Sequence, residues 1–249
     1  MFPINHPKSK KIIGVSLSLS LGIENLDSLL GGLSVGELVL LEGDSSALSL
    51  SHLLCVRSQL PEDIGGLGSS VVWIDGGNTF NPYSVAHFSR ELGLSPEHAL
   101  NNIYISRAFT CYQMSSLVLE KLWSAVERFG SRFVVISDLS YLYAESDIPR
   151  KEAIKAFAPV LEELSSSPNR GRVLILATIL DRPFSGKAPE IKNSLNASAD
   201  IVLSVRKRGL DVEARLRKHP SGRVGRVRFA FDANSVIPLE EFLAGDEVG

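Results

Sequence analysis

The chain has 249 residues, of which 44% are hydrophobic and 22% charged, and its formal net charge is -2. This balance excludes wholesale disorder and a globally basic nucleic-acid-binding protein, so any basic surface has to be local. Two cysteines without a CxxC pair argue against a disulfide framework and a structural zinc site. The polar, basic start has no apolar run of the kind that signal peptides and membrane spans need, and we expect a cytoplasmic protein with no membrane contact.

Short apolar runs alternate along the chain with amphipathic stretches, which is the pattern of βαβ units that build a mostly parallel sheet flanked by helices. We expect one α/β domain over residues 21–242, an N-terminal extension over 1–20 and an acidic, frayed tail over 243–249. The predicted parallel strands cover residues 38–42, 70–75, 102–106, 132–138 and 172–179.

Apolar residues at helical spacing predict three core-facing helices between these strands. Asn81 and Pro82 open the first of them, as a capping side chain followed by proline in the first turn. Pro159 either kinks the last helix or separates two helices, because it removes a backbone hydrogen bond. The residues expected to face the core are Val85, Phe88, Leu92, Leu119, Leu122, Trp123, Val126, Phe129, Ile154, Phe157, Leu161 and Leu164.

The hydrophobic period changes to two after Ile201. The segments 201–208, 211–218 and 226–231 alternate, with turn residues at 209–210 and 220–225. This pattern predicts an antiparallel extension of the sheet at its C-terminal end.

The segment after the first predicted strand is where a phosphate-binding loop would lie. Compared with the pattern G-x-x-x-x-G-K-[ST], Gly43 keeps the first glycine, but Leu48, Ser49 and Leu50 replace the second glycine, the lysine and the hydroxyl residue. The serine at the lysine position removes a charge-assisted contact worth about 1.5–3 kcal/mol.

We therefore interpret residues 45–51 as a polar loop with a capping residue rather than a nucleotide site, although a weak anion site at a helix N-terminus stays open. No cofactor is expected, and ATP binding in particular is not. The positions of this vestigial phosphate loop are Gly43, Asp44, Ser45, Ser46 and Ser49.

Three segments resemble the RadA recombinases, and the first of them also resembles KaiC-like proteins. Residues 26–33, LDSLLGGL, followed by Gly36-Glu37, are similar to the segment that begins the core of both groups. Residues 74–82, IDGGNTFNP, and 102–114, NIYISRAFTCYQM, are similar to two further RadA segments in the same order and spacing. The resemblance covers nearly the whole core and implies a RecA-like fold of the P-loop NTPase type.

The same resemblance indicates what this chain lacks. Asp138 matches the Walker B aspartate that the family links to magnesium, whereas the glutamate that orients the attacking water aligns with Gly77. Together with Ser49 at the lysine position, this implies a non-catalytic paralogue with no catalytic residue. Asp138 is then expected to have a structural role, capping or hydrogen-bonding a neighbouring turn.

Positive charge is concentrated near the C-terminal end. Residues 204–229 hold nine basic against two acidic side chains, a local +7, and in 211–218 the charged residues alternate with Val212, Ala214 and Leu216. One face of these strands should be buried and the other basic, suited to phosphate contact. The candidate DNA-binding residues of this face are Arg206, Lys207, Arg208, Arg215, Arg217, Lys218 and Arg228.

A second basic segment, 180–196, matches a DNA-contacting loop of the recombinases and contributes the candidates Arg182, Lys187 and Lys192. An ordinary surface loop, a solvated sheet face and a surface that docks an acidic protein are the alternatives. The leading hypothesis is a recombinase paralogue that forms an oligomer, binds DNA or a RadA-like partner and assists recombinational repair without ATP turnover. A KaiC-like scaffold or regulatory subunit that does not bind DNA, and a cryptic ATPase completed by a partner, remain open.

Overall fold

A computed structural model describes residues 17–144, 148–182 and 189–231. Its strands are β1 Ser18–Leu19, β2 Leu33–Ser34, β3 Leu38–Gly43, β4 Val71–Asp75, β5 Ile103–Arg107, β6 Phe133–Ser137, β7 Leu174–Leu180, β8 Ile201–Arg208, β9 Asp211–Lys218 and β10 Gly225–Ala230. Its α-helices are α1 Glu24–Leu30, α2 Ser45–Arg57, α3 Pro82–Glu91, α4 Pro96–Asn101, α5 Cys111–Ser116, α6 Leu122–Phe129, α7 Tyr141–Ala144, α8 Arg150–Ser166 and α9 Pro189–Ser198. A π-helical turn, Leu117–Lys121, joins α5 to α6, and 3-10 turns cover Glu62–Ile64 and Pro168–Arg172.

The main sheet has eight strands in the order β10-β9-β8-β3-β7-β6-β4-β5. The strands from β8 to β5 pair in parallel, while β9 and β10 add to β8 in antiparallel fashion. The predicted mostly parallel α/β sheet with antiparallel C-terminal strands is confirmed, and it is consistent with a RecA-like fold. The strands β1 and β2 form a separate antiparallel pair.

Both faces of the parallel strands are covered by helices, which explains why these strands read as continuous apolar runs. One core contains Leu41 and Trp73 and packs against α1 to α4. The other contains Leu40 and Ile74 and packs against α5 to α9. Asn81 caps α3 as predicted, since its side chain accepts hydrogen bonds from the backbone N–H groups of the next turn.

Two of the expectations about helices need correction. Leu119 does not face the core but is 39% exposed, because it lies in the π-helical turn and the wider turn shifts the 3.6-residue period. The other predicted core residues are buried or packed against the core. Helix α8 continues through Pro159, so the alternative of two separate helices is wrong.

The predicted loop over 180–196 also differs from the structure, because residues 189–196 belong to α9. Lys187 and the tail 243–249 lie outside the described residues. Among the residues described, no helix is long and apolar enough to cross a membrane.

Candidate functional site

The carboxyl ends of the parallel strands meet at one edge of the sheet, which is where ligands bind in open α/β sheets. At this edge β3 ends at Gly43, β4 at Asp75 and β6 one residue before Asp138. The predicted phosphate-loop position and the predicted Walker B position therefore lie at the same edge, as the resemblance implies.

The junction between β3 and α2 contains no loop. Only Asp44 separates the strand from the helix, and Ser45, Ser46 and Ser49 lie in the first two turns of α2. The prediction of a polar loop over these residues is wrong. Its capping residue is present, because Asp44 accepts a hydrogen bond from the N–H of Ser46 at 2.9 Å.

The carboxylate of Asp44 also accepts a hydrogen bond from the N–H of Lys207 on β8, at 2.8 Å. A helix N-terminus attracts anions because its first N–H groups lack helical partners and its dipole is positive there. In this chain the anion at the helix N-terminus is the carboxylate of Asp44. A phosphate at this position would meet the negative charge of Asp44, which already accepts the N–H of Ser46.

Gly43 is retained for a packing reason. A Cβ atom here would lie 1.7 Å from the carbonyl oxygen of Val205, since β3 and β8 approach closely at this point, and the φ angle of Gly43 is +153°. No side chain fits in this space. The one glycine of the phosphate-loop pattern that survives is thus required by the sheet itself.

Asp138 lies almost completely buried after β6, with a positive φ of 50°. Its Oδ2 is 2.6 Å from Nε of Arg182, and its Oδ1 accepts a hydrogen bond from the N–H of Leu180 at 3.2 Å. Burial raises the pKa of Asp138 above its usual range, although the Arg182 guanidinium acts in the opposite direction. The geometry fits a carboxylate that fixes the turn after β7.

Arg182 also occupies the space beside Gly77. A Cβ atom at Gly77 would lie 2.7 Å from Nη2 of Arg182 and 2.8 Å from Oδ2 of Asp138. The same guanidinium donates to the carbonyl of Gly77 at 3.1 Å and lies 4.3 Å from the ring centre of Tyr141. The space that a glutamate side chain would need is therefore filled. Arg182, predicted as a DNA contact, makes an internal ion pair with Asp138, and its contact with DNA stays a prediction.

Asp75 is a fully buried carboxylate that the sequence did not single out. It accepts hydrogen bonds from the N–H of Thr79 at 2.9 Å and from Oγ of Ser137 at 3.0 Å. Burial raises the pKa of Asp75, but the hydrogen bonds from Thr79, Phe80 and Ser137 outweigh it and hold the pKa below the usual range. These contacts fix the segment that contains Gly77.

A second missed residue is Glu42, the last side chain of β3, which is 1% exposed. Its carboxylate contacts three groups: Nη1 of Arg217, Nδ2 of Asn196 at 2.9 Å and Nζ of Lys192 at 3.5 Å. A lone acid at the end of an apolar strand was the available signal. Lys192 and Arg217, both predicted as DNA contacts, are partners of this buried carboxylate.

The predicted alternation in β9 is present. Val212, Ala214 and Leu216 are buried, whereas Arg215 and Arg217 lie on the opposite face of the strand. Of these two arginines, Arg217 reaches the buried Glu42, whereas Arg215 is exposed.

Other predicted contacts of this basic face are also paired. Arg206 contacts Asp181 at 2.8 Å and Arg228 contacts Glu213 at 3.2 Å, while Lys218 donates to the carbonyl of Ala197 at 2.7 Å. Within 17–144, 148–182 and 189–231, no ion pair involves the exposed side chains of Lys207, Arg208, Arg215 and Arg226.

Comparison with known proteins gives consistent matches. Residues 11–146 match the Rad51 family model. Over 137 residues the chain is 31% identical to the DNA repair and recombination protein RadA of Aeropyrum pernix, covering 54% of this chain and 42% of the relative. Over 131 residues it is 32% identical to the DNA repair protein RAD51 of Mycosarcoma maydis, covering 51% of this chain and 38% of the relative. The matched part spans about two fifths of the length of these curated relatives.

Proposed function

Because this chain belongs to the Rad51 family, we propose that it is a member without ATPase activity that assists recombination and DNA repair by binding DNA, a recombinase partner, or both. The proposal rests on one observation: side chains of the protein itself occupy the position where a nucleotide would bind. Asp44 caps α2 where a phosphate would bind, and Arg182 fills the place of the catalytic glutamate.

These two replacements have a common consequence for ATP. A phosphate loop binds phosphates through several backbone N–H groups that the loop leaves free. Here the backbone from Ser45 onward is helical, so those N–H groups are no longer arranged around an anion, and the carboxylate of Asp44 repels one. The proposal therefore includes no cofactor.

Calorimetric titration of the full chain with Mg-ATP tests this proposal. We expect no binding at micromolar concentration and no turnover. A variant that restores the pattern, Leu48→Gly with Ser49→Lys and Leu50→Thr, should also fail to bind, because Asp44 remains at the start of α2. Micromolar binding by the unaltered chain, or turnover that Asp138→Ala abolishes, would overturn it.

We also propose that the chain works in an assembly with a second copy or a homologue. Three aromatic side chains follow β4 and β5 at the carboxyl edge of the sheet and are largely exposed: Tyr83 at 65%, Phe109 at 68% and Tyr112 at 52%. Exposed aromatic residues of this kind are typical anchors of protein interfaces. Light scattering that gives a monomer at high concentration, with no homologue co-purifying, would contradict this.

Two other functions give different results in these experiments. A KaiC-like scaffold or regulatory subunit would bind its protein partner but not DNA. An ATPase completed by a partner would bind nucleotide only when that partner is added, so the calorimetry is repeated with any homologue that co-purifies.

A further inference from the structure

The pairing of the C-terminal strands places two arginines directly opposite each other. Arg226 on β10 pairs with Arg215 on β9, and Arg215 pairs with Ser204 on β8. Directly opposite residues on antiparallel strands share a face, with Cβ atoms about 4.5–5.5 Å apart. Like charges in this arrangement destabilise a sheet, so the pair needs an explanation that the fold does not supply.

The next row of the same face is arranged differently. There Glu213 on β9 stands between Arg206 on β8 and Arg228 on β10. Glu213 pairs with Arg228 at 3.2 Å, and Arg206 reaches Asp181 at 2.8 Å. The fold thus neutralises one row of cations and, within the part of the chain that the structure describes, leaves the row of Arg215 and Arg226 without a carboxylate.

We propose that Arg215 and Arg226 form a phosphate-binding row that contacts the sugar-phosphate backbone of a nucleic acid. A phosphate between two guanidinium groups removes their repulsion and accepts paired hydrogen bonds from their planar forks. Same-face residues along a strand are about 6.8 Å apart, so a backbone crossing the row would also pass Arg217 and Arg228. Contacts of this type carry no sequence preference.

The choice of nucleic acid over an acidic protein rests on the proposed function in recombination. The row lies on the outer strands of the sheet, on the face of β9 opposite to its buried side chains Val212, Ala214 and Leu216. It therefore uses none of the residues at the nucleotide position. This inference and the ATP proposal can therefore fail independently of each other, and different measurements test them.

The test compares two double variants of the full chain by fluorescence anisotropy with labelled single- and double-stranded 30-mers. The first is Arg215→Gln with Arg226→Gln. The matched control is Arg90→Gln with Arg172→Gln, which makes the same charge change at exposed positions on α3 and on the Pro168–Arg172 turn.

Loss of two phosphate contacts on duplex DNA should weaken binding about 60-fold at 0.1 M salt and lower the slope of log K against log salt by about 1.8. The control should bind like the unaltered chain. The thermal midpoint of the first variant should stay the same or rise, because opposed like charges are removed, whereas a merely structural role would lower it.

Three results would overturn the inference: equal weakening by both double variants, no binding of either oligonucleotide at low salt, or binding of polyglutamate in place of DNA with the same dependence on Arg215 and Arg226. In each case the absence of ATP binding can still be measured independently by calorimetry.

Discussion

Arg217 is the cation that reaches the buried Glu42, and its replacement by methionine should destabilise the fold. Methionine keeps an apolar stem but removes the guanidinium, which leaves Glu42 with Lys192 at 3.5 Å and Asn196 at 2.9 Å. Removing one partner of a fully buried ion pair costs about 3–5 kcal/mol. Because the Arg217 side chain is 46% exposed and two contacts to Glu42 remain, we expect about 2 kcal/mol, in the range of one hydrogen bond to a charged group.

Urea unfolding of the full chain measures this difference in the free energy of unfolding. A loss of about 2 kcal/mol also corresponds to a thermal midpoint about 4–8 °C lower for a chain of this length. The matched control is Arg215→Met, two residues away on the same face, where a change within about 0.5 kcal/mol is expected. The reasoning is refuted if Arg217→Met costs no more than Arg215→Met.

The remaining predictions concern Gly43 and His52. Gly43→Ala should lower the free energy of unfolding in urea by about 3 kcal/mol or more, because the new Cβ would meet the Val205 carbonyl. The control Gly171→Ala should lower it little, because a Cβ there has nothing within 4 Å. Equal losses of stability in the two variants would contradict this. Burial lowers the pKa of His52 from 6.5 to about 4, so stability should fall as the pH drops from about 6.5 to about 4, because the unfolded chain takes up the proton first. Between pH 7 and pH 5 the unaltered chain should lose about 2 kcal/mol more unfolding free energy than the variant His52→Gln. Glutamine keeps an acceptor for the N–H of Asn81. Equal losses in the two proteins would show that His52 is not the group responsible.

The sheet was predictable because its signals are local. A strand buried on both faces reads as an apolar run, and a strand with one exposed face alternates. The course of α8 was not predictable, because a proline inside a helix loses one hydrogen bond while burial of Phe157 and Leu164 on the same helix favours continuity. The exposure of Leu119 was missed because a π-helical turn leaves no mark in the sequence period.

The candidate site was predictable only in part. The departures at Leu48, Ser49 and Leu50 pointed to an altered phosphate loop, but not to its replacement by helix. Asp44 is the signal for a helix here, since aspartate is a favoured capping residue and no later glycine interrupts the helix. Arg215 and Arg226 lie opposite each other because of the register between β9 and β10. The sequence does not determine the length of the turn between these strands, so their register could not be predicted.

The buried carboxylates Asp138 and Glu42 at the carboxyl edge of the sheet are paired with arginines of the same chain. The carboxylates at the strand ends have to be paired, because an unpaired buried charge is costly. Arg182 contacts Asp138 and Arg217 contacts Glu42, and both arginines come from chain segments that follow β7. A lysine restored at the buried Ser49 would therefore enter a site with its anions already paired. ATP binding at this edge would need several coordinated changes, and for this reason the proposed role rests on the surfaces of the chain.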